Sequence, residues 1–234
     1  MTQQVTYDFR GQVAIVTGGT RGLGLVVAER LALAGCMVAV CGRNAPSYLP
    51  AGIAFYQADV RDAEQAKAFV DNVAQKFGRV DILVNNAGGG PASAIESASP
   101  RFIDAILKLN LVGPLYMAQA VYPYMKAQKG GSIVNIASVS GARPSPGTTV
   151  YGAAKAGLVN LTQSLAQEWG RDNIRVNAII VGLAENDDTA STYGDEAAQA
   201  RIAASLPLGR MARGEDVARA VLYLASDASD YVSG

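Results

Sequence analysis

Hydrophobic and polar positions in this chain alternate between short apolar runs and longer stretches with helical spacing. The apolar runs predict strands at 13–16, 37–40, 53–56, 81–84, 132–137 and 174–180. Because they show little alternation, they indicate strands that are covered on both faces. Strands that alternate with helices predict an α/β fold: one doubly wound parallel sheet with helices on both faces, forming a single domain over residues 1–234.

The helical spacing is clearest in four stretches, where apolar residues recur every three or four positions. These stretches are 23–34, 63–77, 100–128 and 150–169, and two short helices follow up to Ala225. Gly113-Pro114 should bend or break the third stretch. A loop containing Pro46 and Pro50 joins the second strand to the third.

Four glycines, Gly18, Gly19, Gly22 and Gly24, lie between the first strand and the first helix. Glycine lets the backbone approach a ligand closely and adopt positive φ angles, and a helix N-terminus attracts phosphate. A strand, a glycine-rich turn and a helix in this order predict a Rossmann-like dinucleotide site.

Further glycine and polar residues come directly after the other predicted strands. They are Gly42-Arg43, Asp59, Asn85 to Gly88, Ser138 and Val181-Gly182. The carboxyl ends of parallel strands share one edge of the sheet, and ligands of doubly wound folds bind there. We therefore expect one ligand site that draws on all of these segments.

Composition narrows the possible partners. Half of the 234 residues are hydrophobic, and 20 basic residues balance 20 acidic ones. A nucleic-acid or acidic-membrane binder normally carries a basic surplus, so we expect neither partner. The acidic segment 185–196 is interpreted as a solvated loop. The alternative is that it belongs to a substrate lid, placed at about 183–206, that favours a cationic substrate.

The chain has no histidine, so histidine-based triads, ligands and proton transfer are excluded, and we expect no metal site. Cys36 and Cys41 lie about 16 Å apart if the chain between them is extended, which is beyond disulfide reach. Two buried thiols favour a reducing compartment. The N-terminus shows no leader pattern and no run could span a bilayer, so a cytoplasmic location is expected.

Tyr151 and Lys155 are one helical turn apart, at i and i+4, and so share one helix face. A nearby ammonium lowers the pKa of a phenol and makes it a better acid–base group near neutral pH. Ser138 would hold and polarise a carbonyl oxygen beside this pair. The alternatives are an exposed tyrosine with a solvated lysine, and a serine that merely ends a strand.

Together these motifs resemble the short-chain dehydrogenase/reductase family, and among its members the 3-oxoacyl-carrier-protein reductases. The matching residues are Thr17 to Gly24, Asp59-Val60, Asn85-Asn86-Ala87-Gly88, Asn110, Ser138, Tyr151, Lys155 and Asn177. The resemblance implies an enzyme that interconverts a ketone and a secondary alcohol, acting as a homodimer or homotetramer on a small-molecule substrate.

The resemblance also implies a role for each site residue. Tyr151 would be the general acid or base, Lys155 would lower its pKa, Ser138 would orient the substrate, and Asn110 would hold a relay water. The cofactor would contact Thr17, Gly18, Thr20, Arg21, Gly22, Leu23, Gly24, Arg43, Asp59, Val60, Asn86, Ala87, Gly88, Tyr151, Lys155 and Gly182.

The cofactor type follows from the end of the second strand. NAD-preferring dinucleotide folds usually carry an acidic residue there, whereas this chain has Gly42 followed by Arg43. Arginine pairs with a 2′-phosphate, and Arg21 could add a second cation. We therefore predict NADP(H).

Two features depart from the family pattern. Val181-Gly182 replaces the usual Pro-Gly after the sixth strand, and relatives continue beyond the position of Gly234 into a further strand. These departures keep an alternative open: a dinucleotide-binding scaffold or redox-sensing subunit that turns over weakly or not at all.

Overall fold

The structure is a computed structural model that describes residues 6–185, 187 and 189–234, with only the backbone of Ser191. All six predicted strands are confirmed. They are β1 (Val13–Thr17), β2 (Met37–Gly42), β3 (Ile53–Gln57), β4 (Ile82–Asn85), β5 (Gly131–Ser138) and β6 (Ile174–Val181). Each runs one or two residues further toward its carboxyl end than the apolar run, and in β1, β3, β4 and β5 the ladder thereby includes the polar residue that ends the strand.

The six strands form one sheet in the order β3-β2-β1-β4-β5-β6, and every neighbouring pair is parallel. The strand order reverses between β1 and β4, which begins the second half of a doubly wound fold. The glycine turn after β1 and the Asn85–Gly88 segment after β4 therefore meet at the reversal, where such folds bind ligands.

Eight α-helices lie in the described residues. They are α1 (Gly22–Leu33), α2 (Ala63–Phe77), α3 (Pro100–Leu107), α4 (Gly113–Ala127), α5 (Thr149–Trp169), α6 (Thr189–Tyr193), α7 (Glu196–Ser205) and α8 (Gly214–Ala225). α1 and α8 cover one face of the sheet, and α2, α4 and α5 cover the other.

Each face has its own hydrophobic core, and strand residues alternate between the two. Val13 and Ile15 of β1 point toward α2 and α4, whereas Ala14 and Val16 point toward α1 and α8. All four are fully buried. This double burial explains why the strands read as continuous apolar runs.

The predicted loop between β2 and β3 is confirmed: residues 43–52, all of which the structure describes, contain no helix. Parallel neighbours usually need a helical crossover. Here a short irregular segment makes the connection, and Tyr48 within it is 70% exposed.

The predicted break in the long helical stretch occurs slightly earlier than expected. α3 ends at Leu107, residues Lys108–Val112 form one π-helical turn, and α4 begins at Gly113. Pro114 occupies the first turn of α4, where a missing N–H leaves no hydrogen bond unmade. The π turn contains Asn110.

The two short helices predicted up to Ala225 are α7 and α8, but the acidic segment before them, interpreted as a loop, is itself partly helical. α6 lies within it, and the Asp195 side chain caps α7 by accepting the Ala198 N–H at 2.8 Å. Asn186 and Asp188 lie outside the described residues.

The last residues lie along β6: the Gly234 N–H bonds Val176 O at 2.9 Å, and Asn177 Nδ2 bonds Val232 O at 2.8 Å. None of the described helices combines the length and apolarity needed to cross a membrane.

Candidate active site

The glycine turn is held directly against the segment that follows β4. Asn86 Nδ2 donates to Thr17 O at 3.0 Å and to Gly18 O at 3.3 Å. A β-carbon added to Gly24 would collide with the Asn86 amide and with Gly18 O. Gly18 and Gly22 adopt φ angles of +63° and +51°. Only glycine suits this cradle, and the start of α1, where no side chain caps the first N–H groups, suits a diphosphate.

Thr17 locks the two sides of the cradle together. Its Oγ1 accepts the N–H groups of Asn86 and Ala87, each at 3.0 Å, and approaches Val84 O at 3.4 Å. Thr17 is 2% exposed. Its buried side chain thus holds β1 and the segment after β4 together beneath the predicted cofactor cleft.

Positive charge collects at the end of β2. A β-carbon on Gly42 would lie 3.4 Å from Thr20 Oγ1, so the glycine turn and the β2 end adjoin. Asp59 nearby pairs with Arg61, and this hydrogen-bonded guanidinium, with help from Arg43, lowers the pKa of the Asp59 carboxyl. Arg43 and Arg21 are exposed.

The sequence-predicted catalytic residues converge beside this cleft. Lys155 is 3% exposed and donates from Nζ to Ile136 O at 2.7 Å. Its Nζ lies 5.7 Å from the centre of the Tyr151 ring. A β-carbon on Gly88 would lie 2.9 Å from Asn110 Oδ1 and 3.1 Å from Lys155 Nζ. Segments far apart in sequence therefore meet at one point.

Asn110 is fixed by main-chain groups on both sides of the cleft. Its Oδ1 accepts the Gly89 N–H at 2.8 Å, and its Nδ2 donates to Gly89 O at 2.9 Å and to Ile106 O at 3.0 Å. The π turn widens the helix here, and Asn110 is fully buried. The side chain thus ties the loop after β4 to the helix pair α3–α4.

Ser138 reaches the pair from β5. Its Oγ accepts the Ser140 N–H at 3.2 Å. The turn that follows packs on the backbone of α5: a β-carbon on Gly141 would lie 2.6 Å from Ala156 N, and one on Gly152 would lie 2.7 Å from Ser140 O. These two glycines let the β5 end approach α5 closely enough for Ser138 and Tyr151 to interact.

Burial dominates the electrostatics of the pair, which corrects one prediction. The ammonium was expected to lower the pKa of Tyr151, but burial raises that pKa, and a hydrogen bond with Ser138 opposes the rise only in part. Burial also lowers the pKa of Lys155, to about 8. The lysine donates to Ile136 O, and in the desolvated site each group loses hydration that its charged form needs.

Three contributors were missed in the sequence. Tyr193 of α6 raises the pKa of Tyr151 through charge interaction. The Ile136 carbonyl binds Lys155, and the Asp187 carboxylate lies over the glycine turn, 3.4 Å from a β-carbon placed on Gly22. No local pattern marks them, because each acts across a large sequence separation.

Three predicted cofactor residues differ in their surroundings. Val60 is 5% exposed and packs against Gly113. Leu23 packs against the core under α1. Gly182 is exposed at the end of β6, and a β-carbon there would meet nothing within 4 Å.

Burial also keeps the thiols of the two cysteines protonated. Both are free thiols, and burial raises the pKa of each to about 12. They are packing residues of the sheet and stand outside the site's chemistry.

A doubly wound fold with a glycine-rich phosphate cradle and a cluster of half-buried Tyr151 and Ser138 around buried Lys155 defines a class, the nicotinamide-dependent oxidoreductases. Comparison with known proteins narrows the class. A family model described as enoyl-(acyl carrier protein) reductase matches residues 18–234. A 3-oxoacyl-[acyl-carrier-protein] reductase of Thermotoga maritima is 38% identical over 233 residues, covering 96% of this chain and 94% of that protein.

Two further matches, one relative and one solved structure, point to the same class of oxidoreductase. A 3alpha-hydroxysteroid dehydrogenase of Mediterraneibacter gnavus is 37% identical over 236 residues, covering 96% of this chain and 94% of that protein. The crystal structure of a protein from Sinorhizobium meliloti 1021, described as a short-chain alcohol dehydrogenase, superimposes with a TM-score of 0.90 at 34% identity. It covers 98% of this chain and 94% of that one.

The chain belongs to the short-chain dehydrogenase/reductase family. It is an oxidoreductase that acts on keto or hydroxyl groups, and enzymes of this family use a nicotinamide dinucleotide.

Proposed function

We propose that this protein is an NADP(H)-dependent oxidoreductase that interconverts a ketone and a secondary alcohol, with Tyr151 as the general acid and base. The observation that carries the proposal is the convergence of Ser138, Tyr151, Lys155 and Asn110 beside the glycine turn. A surface tyrosine with a solvated lysine, the alternative reading of the motif, would not leave Lys155 only 3% exposed.

When bound, the nicotinamide cofactor supplies or accepts the hydride. The protein's own groups do the rest. The backbone of the glycine turn holds the diphosphate, and Ser138 Oγ donates to the substrate oxygen. The Tyr151 hydroxyl gives that oxygen a proton in reduction and takes one back in oxidation.

Lys155 and Asn110 support the proton donor in different ways. The Lys155 ammonium, anchored on Ile136 O, stabilises the phenolate left after Tyr151 gives up its proton. Asn110 commits its side-chain amide to Gly89 and Ile106, so it fixes the Gly88–Gly89 loop against Lys155. The relay water predicted at Asn110 stays a prediction.

The cofactor assignment rests on the β2 end, where Gly42 leaves space beside Thr20 and Arg43 follows. We expect at least about tenfold preference for NADPH over NADH, because a charge-assisted bond to phosphate contributes about 1.5–3 kcal/mol. Arg43→Asp should remove this preference or reverse it, because a carboxylate repels the 2′-phosphate and can bind the 2′-hydroxyl of NADH. The measurement is kcat/KM with each cofactor for both proteins.

Arg101→Asp is the matched control, since Arg101 is also exposed but lies on α3. It changes the net charge equally and should leave the cofactor ratio unchanged. Equal use of the two cofactors by the unmodified enzyme would rule out the NADP(H) assignment, while leaving the oxidoreductase assignment intact.

The pKa of Tyr151 gives a pH prediction. Since burial raises this pKa, the phenol stays protonated through neutral pH. The rate of carbonyl reduction should therefore be flat across neutral pH and fall only in the alkaline range, whereas alcohol oxidation should rise as pH increases. Profiles of kcat in both directions test this. A rate of reduction that peaks below neutral pH and already falls through neutral pH would contradict Tyr151 as the proton donor.

A panel of ketones, acyl thioesters and sugars, assayed with NADPH, tests the proposed function directly. We expect turnover on at least one ketone. Tight NADPH binding without turnover on any member would favour the scaffold or redox-sensing alternative, which Val181 in place of proline keeps open. Assembly as a dimer or tetramer stays a prediction, testable by light scattering.

A further inference from the structure

A chain of three buried polar side chains lies beneath the site and includes none of the proposed catalytic residues. Asn85 ends β4, Asn135 lies in β5 and Thr162 lies in α5, and they are 2%, 1% and 1% exposed. Asn85 Nδ2 donates to Asn135 Oδ1 at 2.9 Å, and Asn135 Nδ2 donates to Thr162 Oγ1 at 2.9 Å. The Thr162 hydroxyl donates to Leu158 O at 2.8 Å. We call these three residues the polar chain.

The polar chain occupies positions that the core would otherwise fill with apolar groups. Leu83 and Ile133, both fully buried, precede Asn85 and Asn135 by two positions and so share their face of the sheet. Buried amides cost free energy unless all their groups are paired. Asn85 Oδ1 is buried with no hydrogen-bond partner in the described part of the chain. Aliphatic side chains here would avoid that cost, so stability does not account for the polar chain.

The presence of the polar chain is explained by the elements that it joins. Asn85 directly precedes Asn86 in the cofactor cleft, and its Nδ2 also approaches Pro114 O, just after the π turn, at 3.3 Å. Asn135 directly precedes Ile136, whose carbonyl holds Lys155. Thr162 lies two helical turns after Lys155, on the same face of α5. β5 and α5, which carry Ser138, Tyr151 and Lys155, are therefore joined by a directional hydrogen bond, and Asn85 extends the connection to the first turn of α4.

We propose that the polar chain sets the register and depth of α5 against β5, and that Asn135 and Thr162 are positioning residues for Tyr151 and Lys155. This inference rests on the proposed function. Apolar packing tolerates small shifts of one element past another, whereas hydrogen bonds of fixed geometry specify a single arrangement. A shift of about 1 Å at reacting groups can cost up to about 100-fold in rate.

Thr162→Val tests the inference, because it removes the hydroxyl and keeps the side-chain shape. We expect kcat for ketone reduction to fall by about tenfold, a fraction of the 100-fold limit for misplaced groups, while KM changes little. The alkaline limb of the pH profile should move, because the Lys155 to Ile136 O contact is altered. Thr162→Ser, which keeps the hydroxyl, should restore both kcat and the pH profile.

Ile133→Val is the matched control. It also removes bulk from a fully buried position, on the same face of β5 as Asn135, but it breaks no bond of the polar chain. It should lower the melting temperature with little change in kcat or pH profile. A loss of kcat that merely tracks the loss of stability in both variants would overturn the inference, as would failure of Thr162→Ser to restore activity. If Thr162→Val does not fold, Thr162→Ala takes its place with the same expectations.

Hydrogen exchange tests the inference without relying on enzyme activity, and so independently of the proposed function. Residues 149–158 of α5 should exchange faster in Thr162→Val than in Ile133→Val or Thr162→Ser, because the anchor of this helix segment is lost. If the unmodified protein reduces no ketone, the proposed function fails and this measurement alone decides the inference. Equal exchange in all three variants would refute it.

Discussion

Tyr151→Phe should lower kcat for ketone reduction by about 10³-fold, because it deletes the group that donates the proton. General acid catalysis by a positioned side chain contributes about 10²–10⁴-fold. Tyr151 is the acid in our proposal, and Ser138 contacts it through a side-chain hydrogen bond. Phenylalanine keeps the ring, so NADPH affinity should change by less than about threefold. Steady-state kinetics with a ketone substrate and fluorescence titration with NADPH measure the two quantities.

Tyr193→Phe is the matched control for this substitution. Tyr193 also interacts with Tyr151 from α6, but by charge alone. Its loss should leave kcat within about tenfold of the unmodified enzyme and move the alkaline limb of the profile to lower pH, since Tyr193 raises the pKa of Tyr151. If Tyr193→Phe abolished turnover while Tyr151→Phe did not, the proton donor would be misassigned.

Lys155→Met should lower kcat by about 10²-fold or more while changing the free energy of unfolding only modestly. The catalytic loss follows because no ammonium remains to stabilise the phenolate. Stability is preserved because the ammonium is strongly desolvated: burial brings the pKa of Lys155 down to about 8. Replacing a buried charge by an apolar group of similar size is often neutral or stabilising.

The loss of one hydrogen bond, from Lys155 to Ile136 O, destabilises the Lys155→Met variant. Methionine leaves Ile136 O without the donor that Lys155 supplies at 2.7 Å, at a cost of about 1–3 kcal/mol. We therefore expect the free energy of unfolding in urea to change by no more than about 2 kcal/mol in either direction. A variant that keeps full activity would remove Lys155 from the mechanism. One that loses activity only because it unfolds would show that the lysine is structural.

Both predictions depend on side chains that the sequence singled out but described incompletely. The spacing of Tyr151 and Lys155 placed them on one helix face, and α5 confirms this. The pKa effect inferred from that spacing was wrong, because neighbours at i and i+4 say nothing about burial. Residues brought over the pair by the fold desolvate both groups, and burial is the largest cause of the pKa shift of each.

The π turn at Lys108–Val112 illustrates a similar limit. Gly113-Pro114 marks a change of helix in the sequence, since proline has no N–H to bond within a helix. The exact site of the break follows from Asn110, whose amide bonds Gly89 across the cleft. A contact between residues 21 positions apart is invisible to any local pattern.

The segment after β6 shows where composition misleads. Acidic residues at 185–196 indicate solvated chain, yet α6 forms within it and Asp195 begins α7 as a capping residue. Aspartate favours helix N-termini for the same reason that it favours loops: its carboxylate accepts backbone N–H groups. Composition alone does not distinguish these two uses.

The sequence by itself determined the α/β class, the six strands of the described sheet, the helix-free crossover between β2 and β3, and the edge of the sheet where the candidate site lies. Those features follow from local periodicity and from the residue that ends each strand, and both are properties of neighbouring positions. The tertiary structure alone decided how deeply Tyr151 and Lys155 are buried, that Ile136 O anchors the ammonium, and that Asn85, Asn135 and Thr162 join the elements beneath them. Burial and cross-element hydrogen bonds depend on which distant segments the fold packs together, and no spacing within one segment encodes that.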